Sequence, residues 1–262
     1  MASGSGVRPV KSAEHTIAVL EYLAGRGEES ARIREITEAT GIPRSSAYAL
    51  LQTLTERGWV TRDASGTLYG VGIRALIAGV SYIDADDRVQ FVMPWLDRLR
   101  SDLDETVHLA RLDGTDVVYL ATLESNQYLR VINRVGRRLP ASSTSLGKAL
   151  LAARSDELVA EHVATALPAL TDHTVTDHAR LRDQLEQARK DGYAVECEEN
   201  TPGLQCYGIT LPYDDPPIDA ISCSVPIARI TPDREAAIIT RLRATAEEIG
   251  RHGRSRLRRT VR

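Results

Sequence analysis

The tripeptide Gly41, Ile42 and Pro43 constrains this chain more than any other feature. Before it, Arg32 to Thr40 reads as a short helix that turns Ile33 and Ile36 inward. After it, Pro43 to Arg57 carries Ala47, Leu50, Leu51 and Leu54 at i, i+3, i+4 and i+7, the apolar stripe of a second helix. Glycine suits the residue that ends a helix, because it adopts a left-handed backbone freely. Proline suits a first turn, where its missing N–H is not needed. Two helices joined by so tight a turn read as a helix-turn-helix. An earlier helix starts near Ser12 and repeats Ala13, Ile17, Leu20 and Ala24 along one side before Gly25 and Gly27 stop it. Trp59 to Arg62 and Thr67 to Tyr69 flank the turn formers Asp63 to Gly66 and read as a hairpin. Three helices and a hairpin in about 60 residues amount to a winged helix-turn-helix.

The helix after the turn has a second face. Ser45, Tyr48, Ala49 and Gln52 lie opposite the leucines, and Arg44 stands at the exposed start. Small side chains let a backbone approach closely, hydroxyls and amides read base edges, and a helix N-terminus favours phosphate. Ser46 and Arg62 join this set, giving Arg44, Ser45, Ser46, Tyr48, Gln52 and Arg62 as the expected DNA contacts. The formal net charge is −3, so attraction to nucleic acid must be local. Between Ile42 and Arg62 the charges are Arg44, Arg57 and Arg62 against Glu56 alone.

Beyond Gly72 the pattern changes. A connecting helix runs to about Asp84, and Arg88 to Leu103 is another, with Pro94 as a bend. Thr106 to Leu112 and Asp116 to Leu123 flank Asp113 and Gly114, a hairpin signal. Tyr128 to Val135, Tyr193 to Cys197, Tyr207 to Leu211 and Ala220 to Val225 read as further strands. Ser145 to Arg154 and Leu181 to Lys190 read as helices, and Pro232 opens a terminal one ending in a basic run. The expected class is α+β: an N-terminal winged helix-turn-helix, a connecting helix, and a C-terminal mixed α/β domain with an antiparallel, GAF-like sheet. The expected division is a disordered leader at 1–9, the winged helix at 10–72, a linker helix at 73–87, an effector-binding domain at 88–254 and a basic tail at 255–262.

Three cysteines without a Cys-x-x-Cys motif favour a reducing cytoplasm. No run approaches the roughly 18 apolar residues of a membrane span. The spacing of His162, His173 and His178 matches no common zinc site, so neither metal nor cofactor is expected. Ser145 and Lys148 match a Ser-x-x-Lys, but the companion motifs of serine hydrolases are missing and no P-loop or Gly-x-Ser-x-Gly occurs. Glu198 and Glu199 read as a solvated acidic pair. An enzyme is not expected. The serine-rich stretch from Arg137 to Lys148 enters a helix, where free N–H groups and hydroxyls suit a carboxylate.

Thr40 to Leu54 followed by Gly58, Trp59 and Val60 resembles the helix-turn-helix of IclR-type regulators. Arg134 to Gly136, Leu139, Pro140 and Leu146 to Ala149 resemble that family's central segment. Gly192 to Glu199, Gly203 to Cys206 and Ala220 to Pro226 resemble its effector segment. The resemblance spans roughly residues 10 to 252. It implies a transcription regulator, a repressor, that binds an operator in duplex DNA as a homodimer or homotetramer and answers to a small organic acid. It implies that Ser145 and Leu146 meet the effector through backbone N–H groups, with Glu196, Cys206, Ser222 and Ser224 as further polar contacts. Tyr128, Val131, Leu139 and Leu204 match the apolar wall. Two positions depart from the family: Ala49 stands where arginine is common, and Glu196 where aspartate is common.

Overall fold

The computed structural model describes residues 10–27, 29–129 and 133–256, with side chains as far as 254. The chain divides into two compact units that meet between Tyr82 and Ile83.

The first unit holds α1 (Lys11–Gly25), β1 (Ala31–Arg32), α2 (Ile33–Thr40), α3 (Arg44–Glu56), β2 (Val60–Arg62) and β3 (Leu68–Val71). Gly41 ends α2 in the left-handed region, at φ 68°, with its N–H on the Thr37 carbonyl. Pro43 then sets the start of α3, and its carbonyl accepts the Ala47 N–H. Ala47, Leu51 and Leu54 are buried against Val19, Leu23, Ile36 and Val60, with Leu50 half-buried beside them. The strands form an antiparallel sheet of order β1-β3-β2, in which β1 is an addition to the expected hairpin. Asp63 builds the hairpin turn by accepting the N–H groups of Thr67 and Leu68, each at 2.8 Å. The inward stripe of α1 differs from the expected one. Val19 and Leu23 are buried, whereas Ile17 and Ala24 are exposed. Two stripes overlap in this helix, and the bulkier pair, flanked by Leu20 and Tyr22, takes the core.

Helix α4 (Ile73–Ala85) follows and has no buried residue. Ile73, Leu76, Ile77 and Val80 recur on one side of it and are exposed, Ile73 by 64% and Val80 by 46%.

The second unit contains α5 (Asp87–Leu103), β4 (Thr106–Asp113), β5 (Asp116–Leu123), β6 (Arg138–Pro140), α6 (Ser145–Ala152), α7 (Asp156–Glu161), α8 (His178–Asp191), β7 (Ala194–Cys197), β8 (Leu204–Thr210), β9 (Asp219–Pro226) and α9 (Pro232–Arg256). The strands make one antiparallel sheet of order β6-β5-β4-β9-β8-β7. On one face Val107, Leu109, Tyr207, Ile221 and Cys223 pack on Val92, Leu96 and Leu99 of α5 and on Ile238, Leu242 and Ile249 of α9. On the other, Ala110, Tyr119, Ala194 and Ala220 pack under Leu146 and Leu150 of α6, with Leu181 and Leu185 of α8 in the same core. Both faces are thus covered, and every residue of β9 is buried.

The described residues between Tyr128 and Val135 are not in the expected strand. Tyr128 and Leu129 form a bend, Asn133 to Val135 lead into a turn, and 130–132 lie outside the described residues. The strand that pairs with β5 begins only at Arg138, after Gly136 has turned the chain at φ 83°. Tyrosine, valine and isoleucine have strand propensity, but the turn decides where pairing with β5 starts.

Candidate nucleic-acid interface and ligand site

In the first unit, Ser45, Tyr48, Ala49 and Gln52 are exposed on α3, opposite its packed leucines. Arg44, Ser45 and Tyr48 line a groove of about 880 Å³ together with Arg32 and Arg34 of the preceding strand and helix, and with Arg62 and Thr67 of the hairpin. Arginine therefore enters the groove from three directions. Arg62 is held by its own turn, its Nε donating to the Gly66 carbonyl at 2.6 Å and its guanidinium resting over the Tyr69 ring. Arg34 shares its charge with Glu38 at 2.7 Å. Arg44 has no ion pair among the described residues. Ser46 and Ala49 face a second groove, of about 470 Å³, against Lys11, Ser12 and His15 of α1. The exposed positions of α3 thus divide between two flanks. The periodicity of α3 did not point to Arg32, Arg34 or Thr67, because they belong to other elements. A groove lined this way, with open N–H groups at a helix start, suits the phosphates and base edges of a duplex.

In the second unit, the strand register assembles a polar row. Thr106, Ser224, Cys206 and Glu196 stand side by side across β4, β9, β8 and β7. One step along, Thr122, His108, Ser222 and Gly208 form the next row. All but half-buried Thr122 lie out of solvent, because α6 covers this face. Ser222, Cys223 and Ser224 are all buried, so neither hydroxyl faces bulk water. Gly208 explains how closely α6 lies. A Cβ placed there would meet the Ser145 carbonyl oxygen at 2.4 Å and the Leu146 nitrogen at 2.8 Å. Gly147 makes the same allowance toward Ala141. The first turn of α6 therefore rests on the sheet at Gly208, in the second row. Thr144 caps it, accepting the Gly147 N–H at 3.0 Å. The N–H groups of Ser145 and Leu146 find no acceptor among the described residues. Buried donors of this kind ordinarily have a partner.

Cys206 shares a contact with Ser224, Sγ to Oγ at 3.1 Å. Glu196 is engaged by its own loop. Its Oε1 accepts the Glu199 N–H at 2.5 Å and the Asn200 N–H at 3.2 Å, and its Oε2 accepts Asn200 Nδ2 at 2.9 Å. Burial pushes its carboxyl up to about 7 despite those donors. Near neutral pH it carries much less than a full negative charge. Leu139 is buried in the same core, and Leu204 is half-buried at the end of β8. Tyr128 is fully exposed and adds nothing to this wall. Val131 lies outside the described residues.

Lys148 does not serve Ser145. Its Nζ is paired with Glu199, and both side chains are buried. Glu199 also accepts the Val175 N–H at 3.3 Å, so the pair ties α6 to the loop before α8. The reading of Glu198 and Glu199 as a solvated pair is therefore corrected for Glu199. Of the histidines discounted as zinc ligands, His162 bonds the Gly114 carbonyl and His178 that of Thr165, and His173 lies beside the Glu198 carboxylate at 3.7 Å. His108 is a group the sequence reading missed. Burial, and secondarily the Arg137 cation, push its imidazole down to about 3, so it is neutral.

Comparison with known proteins matches both units of the chain. Residues 80–251 match the bacterial transcriptional regulator IclR C-terminal family, and residues 12–64 the IclR helix-turn-helix domain. The chain is 31% identical to the acetate operon repressor of Salmonella typhimurium over 245 residues, covering 92% of this chain and 89% of that protein. It is 33% identical to the HTH-type transcriptional repressor AllR of Escherichia coli K12, covering 90% of this chain and 88% of that one. An IclR homologue from Microbacterium hydrocarbonoxydans, solved in complex with 4-hydroxybenzoate, has the same fold at 22% identity, with a TM-score of 0.75 over 93% of this chain and 99% of that one. With a DNA-reading head and an effector domain matched in order along the sequence, the chain belongs to the IclR family of bacterial transcriptional regulators.

Proposed function

We propose that this regulator is a cytoplasmic repressor that binds a palindromic operator as a homodimer or a dimer of dimers and changes its hold on DNA when an organic acid enters the effector domain. The observation that carries the reading is the exposed face of α3 beside a groove of four arginines. Arg44, Ser45, Ser46, Tyr48 and Gln52 would meet the major groove, and Arg62 the backbone beside it, with Arg32 and Arg34 as further phosphate contacts. Repression follows the named relatives, and the exposed apolar side of α4 is the surface a second copy would cover.

Under α6, the N–H groups of Ser145 and Leu146, with Cys206, Ser222, Ser224 and Glu196, would receive the effector, and Leu139 and Leu204 would border it. The 4-hydroxybenzoate held by the Microbacterium homologue supports a carboxylate. The acid must favour one arrangement of the DNA heads, because equal affinity for two arrangements shifts neither. The functional division is a DNA-binding domain at 10–72, a linker helix at 73–87 and an effector domain at 88–254.

Titration of labelled duplex from the region upstream of the gene, with and without candidate acids, tests this. Salt-dependent binding that an acid alters supports it. Binding indifferent to DNA sequence overturns it.

A further inference from the structure

The arginines of the effector unit are mostly spoken for. Arg111 lies between Asp86 and Asp219, Arg88 grips Asp214, Arg229 and Arg234 share Glu105, and Arg138 pairs with Asp113 and Asp116. Arg137 differs. It is half-buried and pairs with no carboxylate among the described residues. Its Nη1 donates only to the Asn133 side-chain oxygen, at 3.2 Å.

The backbone fixes where Arg137 stands. The Gly136 N–H donates to the Tyr119 carbonyl at 2.8 Å, and the Tyr119 N–H donates to the Arg137 carbonyl at 3.0 Å. Gly136 and Arg137 therefore face Tyr119 together in a β-bulge, one step beyond the β5/β6 pair of Val118 and Arg138. Residues opposed in an antiparallel pair share a face. Tyr119 packs under α6, so that face is the one with the polar rows.

A chain of groups then leads from Arg137 to the serines. The buried Tyr119 side chain stands beside it on that face. The His108 ring stands edge-on to Tyr119 at 5.2 Å, and its Nδ1 lies 3.1 Å from Thr122 Oγ1. His108 is opposite Ser222 across β4 and β9. Because His108 is neutral and Glu196 is occupied by its own loop, Arg137 dominates the charge of the cluster. A cation partly removed from water gains most from a carboxylate, which its planar fork binds in two places.

We propose that Arg137 receives the carboxylate of the effector, steadied by Asn133 and Tyr119, and that the ligand is an organic acid bearing a second oxygen acceptor for the α6 N–H groups and Ser222. The assignment rests on the reading of the space beneath α6 as the effector site, and it adds the residue that selects acids there.

The test uses the full chain, with thermal unfolding as the readout. The probes are glyoxylate, succinate and 4-hydroxybenzoate, each beside its amide. At least one acid is expected to stabilise the wild type and to do so more than its amide. R137Q should lose about tenfold or more in affinity for that acid and should no longer prefer it to the amide. R137K should keep the charge and part of the preference, which guards against a folding defect in R137Q. If R137Q and R137K respond like wild type while S222A does not, the site under α6 stands and the Arg137 assignment falls. If no acid stabilises the wild type, the organic-acid reading falls and takes the assignment with it.

Discussion

The two units put the residues proposed to meet DNA and the effector in opposite surroundings. In the DNA-reading unit, Ser45, Tyr48 and Gln52 stand in the open on a helix whose other side is packed. In the effector unit, Ser222, Ser224 and Glu196 lie under a helix, on a sheet covered on both faces. An exposed contact can change without disturbing the fold, whereas a buried one changes ligand and fold together. Substitutions in the first unit should therefore move DNA affinity at nearly constant stability, and substitutions in the second should move both.

The largest separation is expected at Lys148. Lys148→Met leaves Glu199 buried without its cation and should cost about 3–5 kcal/mol of unfolding free energy. The double variant with Glu199→Gln should recover most of that, and urea midpoints check both. Gly208→Ala comes next. Its methyl would enter the space of the Ser145 carbonyl, so α6 must lift from the sheet at a cost of about 1–3 kcal/mol. Loss of any ligand response should accompany the fall in midpoint. On the other side of the comparison, Arg44→Ala should weaken operator binding by about 1–3 kcal/mol if the arginine grips guanine, with an unchanged urea midpoint. A shifted midpoint would break the contrast between the units.

The smallest effects concern pH. His108 has its imidazole lowered to about 3, so the stability it lends is complete above its ordinary value of 6.5 and is lost as pH falls toward 3. Glu196 runs the other way. Its raised carboxyl lends stability in full below 4.5, and that is lost as pH rises through about 7. Between 4.5 and 6.5 the two slopes oppose each other. Glu196→Gln should flatten the alkaline decline, and His108→Asn the acid one, as read from urea midpoints across pH. In the DNA-reading unit, the hydroxyl of Ser65 first, and then the turn's N–H groups, hold Asp63 at about 2, so its turn should stay formed until pH approaches that value.

The contrast also governs what the sequence reveals. The open face of α3 is legible because a helix repeats every 3.6 residues within one short stretch, and Gly41 and Pro43 mark its start. Arg32 and Arg34 escape that reading, since only the folded hairpin brings Arg62 and Thr67 opposite them. In the effector unit, Ser222, Ser224, Cys206 and Glu196 are named by family resemblance, but their alignment into a row is a matter of register between strands distant in sequence. His108 and Gly208 emerge only from that register, and Arg137 only from its pairing with Tyr119. The stretch at Tyr128 misleads because propensity is local, while the position of β6 is set by the turn at Gly136.

The open face of α3 is proposed to read a specific duplex. Fluorescence anisotropy with duplex from the region upstream of the gene, against a shuffled duplex of equal length at moderate salt, addresses it most directly. The upstream duplex is expected to bind at least about a thousandfold more tightly, with Arg44→Ala eroding that preference. Equal affinity for the two duplexes, unchanged in the variant, would contradict it.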